Sequence, residues 1–328
     1  MSLLSPDDAR CLAELRGLVD HILHDLDPSP IVGAIQRAID SDASSVMESP
    51  AALLPVWVCL SAGGQSRRAL PVSAAWCLLH IAALMLDDVQ DEEFDRTTWP
   101  EMTPSQAVNV ATALTFVSQL ALEHLCQMET EADLVLALWG NFSRAVVRVC
   151  SGQHLDLVGS APTLDDYWRA AAGKSGEVFA LACRAGAMVA TRESRLIDRY
   201  ARFGYNLGIL IQIGDDFEGL WHASGPGDLV NGARSLPVVY AFSVASPEMR
   251  TRLSSLLARL PGETEVANEA RQMILDLGAL HYMVAQAELF RSRAESVLPA
   301  PVKRGGPAHD SLVSLLERSM PILRQPTI

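Results

Sequence analysis

Apolar residues recur at helical spacing through nearly the whole chain. Leu12, Leu15, Leu18, Val19, Ile22 and Leu23 share one helix face, and Ser5-Pro6-Asp7-Asp8 just ahead of them is a start signal. Ser5 serves as N-cap, Pro6 fits the first helical position, and the acids suit the first turn. Thr103-Pro104-Ser105-Gln106 repeats that signal before an apolar helix running to about residue 129. The same period predicts helices near 31–41, 51–60, 70–94, 131–155, 164–172, 174–190, 195–220, 236–246, 249–258, 264–297 and 309–322. Pro100, Gly173 and Gly225-Pro226-Gly227 read as breaks between them. No segment alternates as a strand does. Several helices are apolar nearly all round, as the inner helices of a many-helix bundle must be. The expected fold is therefore all-α, a bundle of many helices around a central apolar cavity. With no long Ser/Pro/Gly linker, one domain over residues 1–328 is expected.

One apolar stretch, residues 69–86, is long enough to cross a bilayer. It contains Ser73 and His80 and runs without an interfacial break into Asp87-Asp88-Val89-Gln90-Asp91, so a buried bundle helix is the expected form. A net charge of −13 argues against nucleic acid, whose phosphates need clustered Lys and Arg. The six cysteines (11, 59, 77, 126, 150 and 183) are scattered, without a C-x-x-C pair, and read as reduced thiols of a cytoplasmic protein. No signal-peptide pattern opens the sequence.

The candidate chemistry lies in two acidic clusters. Asp87, Asp88 and Asp91 end an apolar helix within one arc of about 100°. Like charges repel there, and the helix dipole disfavours negative charge at a C-terminus. Mg2+, a hard cation with oxygen ligands, relieves both penalties. Asp215-Asp216-Phe217-Glu218 closes a second apolar helix, with Gln212 one turn earlier placed to bond toward the pair. Because Mg2+ is usually shared with phosphate oxygens, a diphosphate is the natural substrate group. A solvated acidic helix end is the bland alternative for either cluster alone; two such clusters together make it the weaker one.

At this point the chain resembles the trans-type isoprenyl diphosphate synthases (polyprenyl synthetases), from about Gly63 to Phe242. Gly63-Gly64-Gln65-Ser66-Arg67-Arg68 is similar to their GGKxxR segment, and Asp87 to Asp91 to DDxxD. Gly152 to Asp156 resembles GQxxD, Lys174-Ser175 the KT step, and Gln212 to Asp216 FQxxDD. Gly227-Asp228-Leu229 with Ser235-Leu236-Pro237 resembles the loop that follows. The resemblance implies an Mg2+-dependent prenyltransferase, with Asp87, Asp91 and Asp215 on the metal and Asp88 and Asp216 in close support. Arg96 and Lys174 would grip an allylic diphosphate, with Gln212 and Arg234 in the same substrate site. Isopentenyl diphosphate is the implied acceptor, held by Arg67, Arg68 and His80, and a homodimer is expected.

Several positions depart from the pattern. Gln65 replaces the lysine of GGKxxR, and Thr97 replaces the second arginine after DDxxD. Gly219 stands where the second cluster should have its third Asp, with Glu218 one position early, and Ala233 replaces a loop lysine beside Arg234. Three readings follow: chain elongation with isopentenyl diphosphate; the same ionisation with another acceptor or cyclisation; and a non-catalytic subunit of a heteromeric synthase. The last gives no reason to keep repelling carboxylates together. Ala82, Ala83 and Leu79 would form the floor under the prenyl tail, and the small alanines favour twenty carbons or more, unless a facing residue such as Phe116 blocks the tunnel.

Overall fold

The computed structural model describes all residues except 1–4, 27–29, 96, 100, 129, 159–162, 222–228, 230–233, 261–263, 303–305 and 320–328. Among the described residues the secondary structure is entirely helical. The α-helices are α1 (Pro6–Asp25), α2 (Pro30–Ile39), α3 (Leu54–Ser61), α4 (Ser66–Gln90), α5 (Pro104–Glu123), α6 (Ala132–Val158) and α7 (Leu164–Ala171). They continue as α8 (Glu177–Met188), α9 (Ser194–Trp221), α10 (Leu236–Val244), α11 (Pro247–Arg259), α12 (Thr264–Asp276), α13 (Ala279–Val297) and α14 (Pro307–Arg318). Ser5, Thr103 and Thr163 each close a capping box, and Pro6 and Pro104 occupy first-turn positions.

Two segments differ from the sequence pattern. The stretch 264–297 is two helices, because Gly278 turns the chain at φ +88° between α12 and α13. Gly173 does not break its helix: Ala172–Gly176 is a single π-helical turn joining α7 to α8. Pro100 and Gly225-Pro226-Gly227 lie outside the described residues.

The helices cluster into two compact units. The first comprises Met1–Val147, Val178–Gly204 and Val297–Leu315; the second comprises Arg148–Glu177, Tyr205–Ser296 and Leu316–Ile328.

The first unit is centred on α4. Its residues 69 to 79 are all buried, as are Ile81, Ala82 and Met85, so the apolar run long enough for a membrane is enclosed by protein. Trp76 is wholly buried and satisfies its indole N–H on the Val178 carbonyl at 2.8 Å. Close helix approach is set by glycine: a Cβ on Gly186 would lie 2.4 Å from the Pro55 carbonyl oxygen, and one on Gly204 2.3 Å from that of Phe179.

The second unit packs Leu220, Leu229, Val238, Leu253, Leu256, Val266, Ala270 and Ile274 into one core. Each large aliphatic side chain so buried contributes about 1.5–3 kcal/mol.

Candidate active site

In the first unit, the backbone fixes the acidic end of α4. Asp91 N–H donates to the Asp87 carbonyl at 2.8 Å, and Glu93 N–H reaches back to that of Asp88 at 2.9 Å. Glu92 between them has φ 61°, the left-handed position that such a helix stop usually gives to glycine. A non-glycine residue held there stores strain, a feature that gathers at functional sites.

The two adjacent aspartates do different things. Asp88 accepts a 2.6 Å hydrogen bond from the indole N–H of buried Trp99. Burial raises its carboxyl above the usual range, with Asp87 and Glu93 adding to the rise and the Trp99 bond opposing it. Asp87 and Asp91 are half-buried at the helix end. Thr97 is exposed and bonds Asp95; Arg96 lies outside the described residues.

Higher on α4, His80 packs its ring against Trp76 at 4.9 Å and Phe179 at 5.8 Å. Its buried Nδ1 has no hydrogen-bond partner. Burial pushes the imidazole down to about 4, so it is neutral at physiological pH. Below about pH 6.5 the unfolded ring takes a proton that the folded ring refuses, and stability is lost as pH falls toward 4. The expected loss is up to about 3 kcal/mol. Urea midpoints at pH 7 and 4.5 should show it in the native chain, and His80→Gln should remove that component.

The proposed acceptor trio is not assembled. At 1.5 Å per residue, Arg68 lies about 18 Å from His80 along one helix, while His80 lies about 10 Å from Asp87. Arg67 and Arg68 sit at the opposite end of α4, and no diphosphate spans that distance. Arg67 is exposed and donates to Gln65 at 3.2 Å, while Arg68 has a buried, unpartnered Nε. The resemblance of Gly63–Arg68 to a diphosphate-binding segment therefore does not place its arginines beside His80 or Asp87. Gly63 instead turns the chain between α3 and α4 at φ +89°. Ala82 is buried, Ala83 half-buried and Leu79 8% exposed, one and two turns before Asp87. Phe116 points outward, 65% exposed, rather than blocking that layer.

In the second unit, α9 divides its aspartates in the same way. Asp216 is 6% exposed, and its carboxylate accepts from three donors. The Tyr167 hydroxyl and the Leu236 backbone N–H each reach Oδ2 at 2.7 Å, and the Gln212 amide reaches Oδ1 at 2.9 Å. Burial raises its carboxyl despite these bonds, and burial followed by the charge of Asp216 pushes the Tyr167 phenol well above its usual value. Asp215 is exposed. With Ile211, Gly214 and Glu218 it lines a pocket of about 200 Å3, completed by Arg318 and Ser319. Glu218 thus shares the face of Asp215, while Asp216 turns inward.

Lys174 sits in the π-helical turn and pairs with Asp156 at 3.1 Å. Such turns concentrate at functional positions. Its neighbour Ser175 donates to the Gln212 side-chain Oε1 at 2.6 Å. The turn approaches α6 through two glycines: a Cβ on Gly152 would lie 2.8 Å from Gly173 backbone atoms. Arg234 is half-buried, two residues before Leu236; Ala233, Gly227 and Asp228 lie outside the described residues.

Sequence reasoning passed over Tyr167, Trp99 and Arg318, and gave Ser175 a place in a motif but no partner. Tyr167 had a signal, being two turns before Lys174 on one helix face. Trp99 and Arg318 had none, since both meet their neighbours through chain reversals that no local pattern encodes.

Described residues that are all helical, with one aspartate pair in the last turn of α4, a second inside α9 about five residues before its end, and a lysine in a π-turn of the same unit, have the makings of a diphosphate-handling helical protein. Residues 50–274 match the polyprenyl synthetase family, and the chain belongs to it. It is 34% identical over 204 residues to a geranylgeranyl diphosphate synthase of Mycobacterium tuberculosis, covering 59% of this chain and 58% of that protein. It is 31% identical over 169 residues to the tryptophan prenyltransferase ComQ of Bacillus spizizenii, covering 50% and 55% respectively. Its fold is that of a polyprenyl synthase from Caulobacter crescentus, solved with calcium and isoprenyl diphosphate. That likeness has TM-score 0.78 at 21% identity over 95% of this chain and 94% of the other.

Proposed function

We propose that this protein is an Mg2+-dependent prenyltransferase that ionises an allylic prenyl diphosphate and condenses it with isopentenyl diphosphate into a longer trans-prenyl diphosphate. One observation carries the reading. In each aspartate pair the second member is bonded into the protein, Asp88 to Trp99 and Asp216 to Tyr167, Gln212 and Leu236. The first member, half-buried Asp87 or exposed Asp215, stands at the helix surface. A fold that spends buried hydrogen bonds on holding carboxylates side by side is built to present charge.

Among the described residues no three such ligands converge on one point. The chain would offer carboxylate pairs, Asp87 with Asp91 and Asp215 with Glu218, and a hard divalent cation would complete its shell with diphosphate oxygens and water. Mg2+ held by these carboxylates would neutralise the charge that develops on a departing diphosphate. In this reading Glu218 stands in for the carboxylate missing at Gly219. Lys174, oriented by Asp156, holds the allylic diphosphate, and Arg234 and Arg318 supply further guanidinium groups. The prenyl tail lies along the Ala82 and Ala83 layer, whose small side chains set no stop at fifteen carbons. The two units are read as parts of one domain, since each draws on three interleaved chain segments. We read the protein as cytoplasmic and non-spanning: α4 is enclosed by protein, and α6, the second helix long and apolar enough to cross a membrane, is 28% buried over its apolar window.

A second reading has a specific observation in its favour. Arg67 and Arg68 lie far along α4 from neutral, aromatic-packed His80, so these two arginines form no basic cluster with it among the described residues. An acceptor without a diphosphate, or internal cyclisation, suits such a site. Purified protein with Mg2+, farnesyl diphosphate and labelled isopentenyl diphosphate decides between them. Longer labelled prenyl diphosphates establish elongation; diphosphate release without label establishes the second reading; no turnover of any allylic diphosphate overturns both.

The homodimer has its own support. α5 and α6 are joined by Trp139 donating to the Gln119 carbonyl at 3.2 Å, and they leave Phe116, Leu136 and Val147 about two-thirds exposed. Apolar faces of this kind mark interfaces, and a second copy of this chain is the occupant in our reading. Sedimentation velocity should show a dimer, and Phe116→Asp with Leu136→Asp should give a monomer.

A further inference from the structure

We propose that Asp216 is a positioning residue rather than a metal ligand, a buried hub that sets the Lys174 turn, the exposed face of α9 and the start of α10 in register. The proposal rests on the prenyltransferase reading for what the hub serves, but its geometry lies wholly within the second unit.

The three elements meet on one carboxylate. Its Oδ2 holds the backbone N–H of Leu236, the first residue of α10, immediately after Arg234-Ser235. That bond satisfies a helix N-terminal donor that Ser235 leaves uncapped, since the Ser235 side chain makes no cap bond. Its Oδ1 holds the Gln212 amide, and the other end of that amide accepts from Ser175 in the π-turn. The Tyr167 hydroxyl, on α7 just before the turn, supplies the third bond. Asp216 adjoins Asp215, so any rotation of α9 that moved the Asp215 face would break the bonds to Tyr167 and Leu236 and, through Gln212 on the same helix, the bond to Ser175.

A metal would have to compete with two donors at Oδ2 or fit beside the Gln212 amide at Oδ1, on a carboxylate only 6% exposed. Oδ2 already accepts from Tyr167 and Leu236 and Oδ1 from Gln212, so of about four acceptor positions one, on Oδ1, is left. An ion taking Oδ2 would leave the Leu236 N–H or the Tyr167 hydroxyl unpaired in a buried setting. Asp215, exposed on the next position, meets no such competition from them.

The test uses the full chain and the variants Asp216→Asn, Tyr167→Phe and Ser175→Ala, with Asp215→Asn for comparison. Calorimetry measures binding of inorganic pyrophosphate over a series of Mg2+ concentrations. Asp216→Asn should keep the Mg2+ midpoint within about twofold of the native protein while weakening pyrophosphate at saturating Mg2+ about tenfold. Tyr167→Phe and Ser175→Ala, which each remove one hydroxyl, should weaken it about threefold with the midpoint unmoved. Asp215→Asn should move the midpoint itself. A midpoint shift in Asp216→Asn matching that of Asp215→Asn makes Asp216 a ligand and overturns the proposal; unchanged pyrophosphate affinity overturns it as well. If Asp216→Asn does not fold, the two hydroxyl variants test the hub itself, and pyrophosphate affinity unchanged in both overturns it.

Hydrogen exchange separates failure of the hub from failure of the functional reading. Should the native protein bind no pyrophosphate, the prenyltransferase reading falls. The hub still predicts exchange about tenfold faster at the Leu236 amide and at residues 172–176 in Asp216→Asn. Unaltered exchange there overturns it.

Discussion

Asp87→Ala is expected to lower turnover of an allylic diphosphate by about a thousandfold or more while leaving the melting temperature nearly unchanged. The two halves of that expectation come from the same geometry. Asp87 stands in the last turn of α4, beside Asp88 and one turn before Asp91, where the helix dipole opposes negative charge. Removing it relieves the repulsion that helps raise the Asp88 carboxyl, so stability should stay within about 1 kcal/mol of the native protein. Asp88→Asn should behave in the opposite way. It weakens the bond from Trp99 at the heart of the turn and should cost about 1–2 kcal/mol of stability, with a smaller fall in turnover. Product formation with farnesyl diphosphate and Mg2+, measured beside thermal melts, reads both variants. Turnover of Asp87→Ala within tenfold of the native protein would remove Asp87 from the metal set.

That contrast within one Asp-Asp pair marks the boundary of what the sequence shows. The existence of the clusters was legible, because paired acids closing an apolar helix violate local electrostatics in a way that demands an explanation. The allocation of roles was not. Asp87 and Asp88 are chemically identical neighbours, and only Trp99, eleven residues on and brought back by the turn, distinguishes them. Asp215 and Asp216 differ through Tyr167 and Leu236, respectively forty-nine residues earlier and twenty later. Glu218 was a one-position mismatch in sequence; in the pocket it lies beside Asp215, because three residues and four residues both return to one helix face.

The helices were legible for the same reason: apolar period and N-terminal capping are local. Ser5, Thr103 and their boxes formed as their spacing required. Gly173 shows the limit. A glycine between two periodic segments reads as a break, yet the chain continues through it as a π-turn, and the glycine serves the contact with Gly152. The arginines at 67 and 68 show another limit. A basic string near a GG pair has the look of a phosphate site, but its position at the far end of a twenty-five-residue helix removes it from Asp87.

Gly173→Ala should therefore damage both stability and substrate affinity. Its new Cβ would lie 2.6 Å from the Gly152 Cα and 3.1 Å from the Arg148 carbonyl oxygen. Both are backbone atoms, with no rotamer to move them aside. Either the end of α6 or the π-turn must shift, and overpacking of this kind costs about 1–3 kcal/mol. The shift separates Lys174 from Asp156, now 3.1 Å apart across the two elements, and Lys174 loses the partner that orients it. The expected result is a urea midpoint lowered by that amount and a KM for the allylic diphosphate raised about tenfold. Gly17→Ala is the matched control, since a Cβ there meets nothing within 4 Å. In the interior of α1 that change should stabilise by about 0.5–1 kcal/mol and leave KM alone. If Gly173→Ala behaved like Gly17→Ala, the close approach of the two backbones would not be what holds Lys174, and Asp216 would be left as the element that sets the turn.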